Sequence, residues 1–498
     1  MTILAIDAGT TGVTALLVTN EARVVGRGYS EFPQHFPADG WVEHDPQEIW
    51  DATLKATEEL LASDAVSNYG KPTCVGITDQ RETIVLWDRK TLKSPRLAIV
   101  WQDRRTAGFC DQLKADGHED RVSHLTGLRL DPYFSGTKLS WIAKQEPEVW
   151  KGVQSGKTAI GTIDSYLIAR MTAGATHVTD ASNACRTLLF DINTGEWSEE
   201  LGELLGVPLD ALPEVVPSYG EVGTTDPEAF CGLEIPISGI AGDQQSALFG
   251  QACFEPGSSK CTYGTGSFVL VNTGDQIIRS DAGLLSTVAW KNPDGSLTYA
   301  LEGAIFVTGA AVQWLRDGLG IIESAAETEE IARSVPNSAG VVFVPALTGL
   351  GAPDWDPNAR GAIFGLTRGA TSAHIVRATL EAIAFEVRDV VDVMTTEAGV
   401  KLPRLTVDGG AAANNLLCQL QADQLRVPVA RSEVLEATGM GAAFLAGLGT
   451  GIWKNKEELA QTWRSDKTFQ PQERDQQAHR RWRVAVERTK NWSTAVSN

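Results

Sequence analysis

The sequence lacks several features that each define a class of protein. Its seven cysteines are scattered over 498 residues without a CxxC pair, so neither a disulfide framework nor a zinc knuckle is expected. No apolar run approaches the roughly 18 residues of a membrane helix, and no secretory leader is recognisable. These absences predict a soluble cytoplasmic protein without an integral membrane segment.

Positive charge is also scarce. The chain has 43 lysines and arginines against 63 aspartates and glutamates, a formal net charge of −20. A surface this acidic is not expected to bind nucleic acid or an anionic membrane. A phosphorylated small molecule remains compatible, because helix N-termini and a few cations can hold it. The length exceeds what one core supports, so two or three domains are expected.

One pattern of strands and turns occurs twice. The N-terminal segment predicts a three-stranded meander, followed by a helix that Asp45 caps and that Glu48 completes as a capping box. After residue 235 the pattern restarts with a strand, a helix and a second hairpin, "CTYGTGSFVLVNTG". We therefore predict an α/β protein of two similar halves, residues 1–249 and 250–498, that face each other across a cleft.

Each half begins with a glycine-bounded turn that carries hydroxyl groups. The first, "DAGTTG", contains Thr10, Thr11 and Gly12, and the second contains Thr265 between two glycines. Glycine lets backbone N–H groups approach an anion, and no GxxxxGK[ST] motif is present to make either turn a P-loop. The functional interpretation is a pair of phosphate-binding hairpins. Taken alone, each motif is as well explained as an ordinary turn.

Two further glycine-rich junctions have the chemistry of a nucleotide site. A strand runs into Gly409 and Gly410 before a helix, which predicts exposed amides and room for a ring or ribose. Elsewhere small residues from Gly309 begin a helix, and Gln313 supplies an amide one turn later.

Two carboxylates and one charged pair complete the candidate site. Asp243 lies where a strand becomes a helix, where the helix dipole favours the ionised form of a proton-accepting carboxylate. Asp7 ends the opening strand, and the two acids could hold Mg²⁺ through its waters. Plain N-capping is the commoner role for an isolated aspartate. Arg81 and Glu82 are adjacent, so both can touch one ligand only where their strand ends; a solvated turn is the alternative.

These segments resemble the FGGY carbohydrate kinases of the actin-like ATPase superfamily, and within that family the members that phosphorylate glycerol. The likeness covers nearly the whole chain and rests on long, specific segments: "GWVEHDPQEIW", "GITDQRET", "IVWQDRRT", "DPYFSGTK", "IPISGIAGDQQSALFGQ", "YGTGSF", "TGLGAPDWDPNARGAIFGLTRG" and "VDGGAAANN". The resemblance implies two actin-like (RNase H-like) domains with the catalytic cleft between them, and a homodimer or homotetramer.

The same resemblance implies a role for each candidate residue. Glycerol would be bound by a polar set with apolar walls, namely Arg81, Glu82, Tyr133, Asp243 and Gln244, with Trp101 and Phe268 as the walls. ATP would place its phosphates between the two hairpins, at Thr10, Thr11, Gly12, Thr14 and Thr265. Its adenosine side would be held by Gly309, Gln313, Gly410 and Asn414. Asp243 would be the general base, with Mg²⁺ bridging the phosphates near Asp7 and Asp243.

Two other functions are compatible with the sequence, which also differs from the usual residues of the family at several positions. A kinase for another small polyol or ketose (erythritol, dihydroxyacetone, xylulose or ribulose) is the nearest alternative, and a non-catalytic actin-like ATP-binding protein is a more distant one.

Thr14 stands where an arginine is usual in the family, and Ala8 and Gly12 replace polar residues. Ala229 and Glu234 occupy a loop where relatives bind fructose 1,6-bisphosphate or carry a phosphorylated histidine, so we expect neither form of regulation here.

Overall fold

The computed structural model describes residues 1–399, 401–472 and 475–495. The strands of the first half, numbered β1 to β14 in chain order, are Thr2–Ala8, Gly12–Thr19, Val24–Glu31, Glu43–His44, Val75–Asp79, Val85–Asp88, Ala98–Ile99, Thr158–Gly161, Val178–Asp180, Phe190–Asp191, Glu196–Trp197, Glu214–Val216, Tyr219–Thr224 and Pro236–Gly242. Its helices, α1 to α10, are Pro46–Leu61, Asp64–Tyr69, Ala107–Ala115, Glu119–Thr126, Ser135–Gln145, Pro147–Gln154, Ile163–Met171, Ala181–Ala184, Glu199–Leu205 and Asp243–Gly250.

The second half continues the numbering. Its strands, β15 to β23, are Ser259–Tyr263, Ser267–Gly274, Leu285–Lys291, Leu297–Ile305, Val342–Val344, Ala362–Phe364, Leu405–Asp408, Val429–Ser432 and Ser465–Phe469. Its helices, α11 to α18, are Gly309–Asp317, Glu327–Arg333, Ser372–Ala398, Asn415–Leu425, Ala437–Gly449, Lys456–Ala460, Gln476–Thr489 and Trp492–Ala495. None of the helices in the described ranges combines the length and apolar character needed to cross a membrane.

Each half is built on one large mixed sheet, and the six strands of the first sheet have counterparts in the same order in the second, which adds β17 at one edge. In the first, β1, β2 and β3 form an antiparallel meander, while β5 and β14 run parallel to β1 on its other side. In the second, β15, β16 and β18 are antiparallel, with β21 and β22 parallel to β15 on its other side. The predicted meander and repeated pattern are confirmed.

The first helix follows its sequence signals except for one contact. Asp45 caps α1 through the N–H of Gln47, and a proline occupies the first turn. The predicted capping box is wrong, because the Glu48 carboxylate instead lies 2.9 Å from the ring of His35. A neighbouring histidine is a competing partner that the spacing of the box cannot show.

The two halves meet where α10 packs against α15. The helices cross so closely that a Cβ on Gly441 would lie 1.8 Å from the carbonyl oxygen of Ser246. A Cβ on Gly250 would lie 2.1 Å from that of Ala437. Glycine is therefore required at both crossing points, because any side chain would force the backbones apart.

Helix α15 belongs by sequence to the second half, yet it covers the sheet of the first. Leu445 and Phe444 are buried in one cluster with Ile3, Leu16 and residues of α10. Each sheet also has an apolar cluster on its other face, with α13 and α14 covering the second sheet. The predicted division of the chain at Gly250 stays a prediction, since one core contains residues from both sides of it.

Candidate active site

The charged pair Arg81–Glu82 lies just beyond the end of β5. The strand ends at Asp79, and Glu82 then adopts a left-handed backbone with φ of 62°. That turn breaks the alternation of a regular strand, so both side chains point into the same buried region, each no more than 2% exposed. The condition for both side chains to reach one ligand is therefore met, and the alternative of a solvated turn is wrong, because both side chains are buried.

Around Arg81 the structure gathers four buried charges from both halves. Arg81 donates from Nη1 to Glu302 Oε2 at 2.6 Å and from Nη2 to Glu302 Oε1 at 3.2 Å. Arg186 donates from Nη2 to Glu302 Oε1 at 2.9 Å and from Nε to Glu82 Oε1 at 2.7 Å. Two positive and two negative side chains thus balance one another away from water.

Asp243 lies at the start of α10, beside this cluster. Its Oδ1 is 3.2 Å from Arg81 Nε, and its side chain keeps 30% exposure whereas that of Arg81 keeps 1%. The predicted N-cap position is off by one residue: Gly242 is the N-cap and Asp243 the first helical residue. The carboxylate is still at the helix N-terminus, where the dipole stabilises negative charge.

Asp7 is the second predicted acid and lies partly buried near the end of β1. Burial, and after it the negative charge of Asp243, raises the pKa of Asp7 to about 7. The two carboxylates therefore lie close enough to repel each other, as groups that share a cation do. Among the described residues no cluster of three or more histidine, cysteine or carboxylate side chains forms a metal site.

Aromatic rings line the same region. The Tyr133 hydroxyl accepts a hydrogen bond from Arg81 Nη2 at 3.3 Å, and its ring centroid is 5.6 Å from that of Trp101. The Phe268 ring lies beneath the Arg81 guanidinium at 5.9 Å. Trp101 also donates from Nε1 to Thr10 Oγ1 at 3.0 Å, which ties one wall to the first hairpin.

Gln244 has a partner that sequence reasoning did not identify. Its Oε1 accepts a hydrogen bond from the buried Lys260, whose Nζ also donates to Thr262 Oγ1 at 3.0 Å. Lys260 is on β15, so a second-half cation reaches a residue next to Asp243. Burial lowers the pKa of Lys260, while Asp408, Asp243 and Glu302 act in the opposite direction.

The predicted adenosine residues of the second half line one cavity. It has a volume of about 480 Å³ and is bordered by five of the predicted residues, Thr265, Gly309, Gln313, Gly410 and Asn414. The Asn414 side chain already has two hydrogen-bond partners. Its Oδ1 accepts from Leu417 N and caps α14, and its Nδ2 donates to Thr328 Oγ1. Arg316 and Glu329 also border the cavity and were not predicted.

The first hairpin lies outside that cavity and is held by glutamines. Gln80 donates to the Gly9 carbonyl at 3.0 Å and Gln34 to the Thr10 carbonyl at 2.8 Å. A Cβ on Gly12 would lie 2.8 Å from the Tyr29 hydroxyl oxygen. The Ser30 carbonyl oxygen would lie 2.9 Å from the same Cβ, and because this backbone atom cannot move aside, position 12 favours glycine. Thr11 is exposed at the tip of the turn.

Comparison with known proteins identifies the family to which this two-sheet architecture belongs. The N-terminal domain of the FGGY family of carbohydrate kinases matches residues 2–250, and its C-terminal domain matches residues 259–450. The chain belongs to the FGGY family of carbohydrate kinases. The two-domain α/β fold implied by the sequence resemblance is thereby confirmed.

Individual FGGY relatives agree with this assignment. The chain is 52% identical over 493 residues to a glycerol kinase of Carboxydothermus hydrogenoformans, covering 98% of each. A crystal structure of Plasmodium falciparum glycerol kinase with ADP superposes with a TM-score of 0.91 at 37% identity, covering 98% of each chain. A ligand-bound xylulose kinase of Lactobacillus acidophilus shares the fold, with a TM-score of 0.86 at 22% identity, over 100% of this chain and 98% of that one.

The departure at position 14 gains a specific meaning from this FGGY geometry. Thr14 on β2 pairs directly with Asp7 on β1, so both side chains are on one face of the sheet. An arginine at position 14 would place a guanidinium beside the Asp7 carboxylate, whose pKa is raised, and close to the first hairpin. A threonine hydroxyl gives one neutral hydrogen bond, whereas a guanidinium gives a charge-assisted and often bidentate one.

We therefore expect Thr14→Arg to tighten binding of ADP, measured calorimetrically with Mg²⁺, by at least about threefold, because a phosphate gains a charged partner. The order of preference among polyol acceptors should not change. Thr14→Met is the control, since it has length without charge and should leave the affinity as it is. Unchanged or weaker ADP binding by Thr14→Arg would mean that position 14 does not reach the phosphates.

Proposed function

We propose that this chain transfers the γ-phosphoryl group of ATP to glycerol and releases sn-glycerol 3-phosphate and ADP. The observation that carries the proposal is the convergence of Arg81, Glu82, Tyr133 and Asp243 between apolar rings at the junction of the two halves. Relatives that are glycerol kinases at 52% and 37% identity over almost the whole chain support the same acceptor.

The acceptor site suits a short polyol. A three-carbon triol offers three hydroxyl groups that need directed partners, while its carbon side needs an apolar surface. Carboxylates, a guanidinium and a phenol can supply the first, and the rings of Trp101 and Phe268 the second. A site built to bond hydroxyl groups discriminates strongly against analogues that lack them, because its own polar groups would be left unpaired.

A coupled assay of ADP release with glycerol, erythritol, dihydroxyacetone, xylulose and ribulose tests this acceptor. We expect glycerol to give the highest kcat/KM, since an acceptor without the same set of hydroxyl groups leaves hydrogen bonds of the site unmade. A higher kcat/KM with a ketose would favour the other FGGY activities. ATP binding without turnover of any acceptor would favour the non-catalytic alternative.

The second-half cavity is the proposed place of the nucleotide. At about 480 Å³ it lies within the size range of small-molecule sites. In this arrangement the adenosine side contacts Gly309, Gln313, Gly410 and Asn414. The phosphates extend past Thr265 towards the first hairpin, Asp7 and Asp243. The backbone of the two glycine-bounded hairpins then faces the phosphate oxygens.

Asp243 is the proposed general base. Its carboxylate takes the proton of the attacking hydroxyl as that oxygen bonds to the γ-phosphorus and the bond from the γ-phosphorus to the ADP oxygen breaks. Positioning and charge neutralisation supply most of the rate in such a transfer. Arg81 holds the acceptor beside the base. Exclusion of water by the joined halves would protect the γ-phosphoryl group from hydrolysis.

Replacing the base tests this role. We expect Asp243→Asn to lower kcat by roughly two to four decades, because an amide cannot accept the proton, with a much smaller loss of ATP affinity. Asp45→Asn is a matched control, since it also changes a carboxylate at a helix start and asparagine keeps the cap. Turnover of Asp243→Asn above a tenth of wild type would remove Asp243 from the role.

The pair Asp7 and Asp243 is a suitable set of protein ligands for Mg²⁺, which is seldom enclosed by protein ligands alone. Mg²⁺ keeps several waters and takes few protein ligands when it also binds phosphates. Two neighbouring carboxylates, of which Asp243 contributes to the raised pKa of Asp7, offer the negative charge that such an ion needs. When bound, the ion would neutralise phosphate charge, while Asp7 and Asp243 orient its waters.

The raised pKa of Asp7 gives this proposal a pH signature. Below pH 7 the carboxylate is protonated, and a cation must displace that proton. We expect the calorimetric affinity for Mg²⁺ in the presence of ADP to fall about tenfold from pH 8 to pH 6. Because the nucleotide phosphate also gains a proton in this range, Asp7→Asn is the control and should show a shallower slope. Equal slopes would remove Asp7 from the metal site.

A further inference from the structure

The acceptor-binding arginine does not stand free in its site. Its two terminal nitrogens bond both oxygens of Glu302, at 2.6 and 3.2 Å, in the parallel geometry that fixes a guanidinium plane. Glu302 itself is 0% exposed. Only Nε, 3.2 Å from Asp243, and the Nη2 edge facing Tyr133 are turned towards the acceptor region.

Glu302 reaches this position from the opposite half of the molecule. It lies within β18, where its pairing partners across the sheet are Leu270 on β16 and Leu285 on β17. Both leucines are fully buried. A carboxylate among such neighbours is costly unless it is paired. Its ion pairs with Arg81 and Arg186 therefore account for a carboxylate at this position of the second sheet.

The charge of Glu302 is maintained by its partners. Burial by itself raises the pKa of Glu302, but the positive charges of Arg186 and Arg81 outweigh burial and bring it to about 2. The group is ionised throughout the working range of pH. Arg186 also bonds Glu82, so Glu302 and Glu82 share one arginine, while Glu302 is the carboxylate that bonds both terminal nitrogens of Arg81.

We propose that Glu302 is a positioning residue for the acceptor, which holds the Arg81 guanidinium in the plane and orientation that a substrate hydroxyl requires. This inference rests on the proposed function of Arg81. Without Glu302, Arg81 would keep Asp243 as its nearest carboxylate, and an acceptor would have to separate that pair before binding. The acceptor pocket is then completed by a side chain of the nucleotide-binding half.

The test is a comparison of Michaelis constants in the full-length enzyme. We expect Glu302→Gln to raise KM for glycerol by about tenfold or more, because two bonds to a carboxylate are replaced by one bond to an uncharged amide oxygen and an amide donor that faces the guanidinium donors. KM for ATP should change by less than about threefold. Glu381→Gln breaks a half-buried ion pair with Arg377 on α13, outside the cleft, and should change neither constant.

A rise in KM for glycerol without a matching rise in KM for ATP distinguishes a role in positioning Arg81 from a role in stabilising the fold. A merely structural carboxylate would lower the melting temperature or the amount of active enzyme and leave KM for glycerol unchanged, or would raise both constants together. Either result would overturn the proposal. If Glu302→Gln does not fold, Glu302→Asp decides: it keeps the charge but retracts the carboxylate, so a rise in KM for glycerol of about threefold or more supports positioning, and a wild-type value refutes it.

Failure of the proposed function gives a different result. If the wild-type enzyme prefers another acceptor in the panel, the same ratio of constants is measured with that acceptor. If no acceptor is turned over, calorimetric binding of glycerol to wild type and Glu302→Gln replaces KM. Loss of positioning then appears as weaker binding in the variant, whereas equal binding overturns the inference.

Discussion

The backbone-to-backbone crossing of α10 and α15 is the constraint on which the rest of the site depends. At Gly250 and Gly441 the helices touch without side chains between them, so their separation is fixed by the backbone alone. Asp243 begins α10, and its place relative to the first sheet follows from that contact. A side chain at either glycine would displace the helix that carries the proposed base.

The second determinant is electrostatic. Four charged side chains are buried where the halves meet, an arrangement that gains stability only when every charge has a well-oriented partner. Arg81, Arg186, Glu82 and Glu302 meet that condition through short, directed bonds, although Arg186 Nη1 has no hydrogen-bond partner within the described part of the chain. Removing one member leaves a buried charge without its counterion, which is costlier than the pair is stabilising. Such a cluster fixes geometry more than it adds stability.

Much of this arrangement was predictable from local sequence. Glycine-bounded hairpins, the helix that Asp45 begins and the break after β5 each follow from turn and capping chemistry within a few residues. Two expectations failed: Glu48 pairs with His35 instead of completing a capping box, and Asp243 lies one residue inside its helix. Both depend on partners distant in sequence or on a one-residue choice of boundary.

Glu302, Arg186 and Lys260 could not be assigned from the sequence in the same way. Each is a single charge in a segment otherwise typical of strand or turn, and its partner lies on a different element. A charged residue within an apolar strand, as in "YALEGAIF", is the one available signal that something pairs with it. What it pairs with is set by the packing of two sheets that lie far apart in the sequence.

The shared order of the corresponding strands makes the two halves counterparts of each other whose side chains differ. Position by position along β1 and β15, the turn Gly9–Thr10 corresponds to Gly264–Thr265, and Asp7 to Thr262. The reciprocal glycine contacts of α10 and α15 have the form of an isologous interface between identical partners. One backbone design therefore occurs twice, with an acidic side chain at this corner in the first half and a neutral one in the second; under the proposed function, both corners face the same phosphate chain.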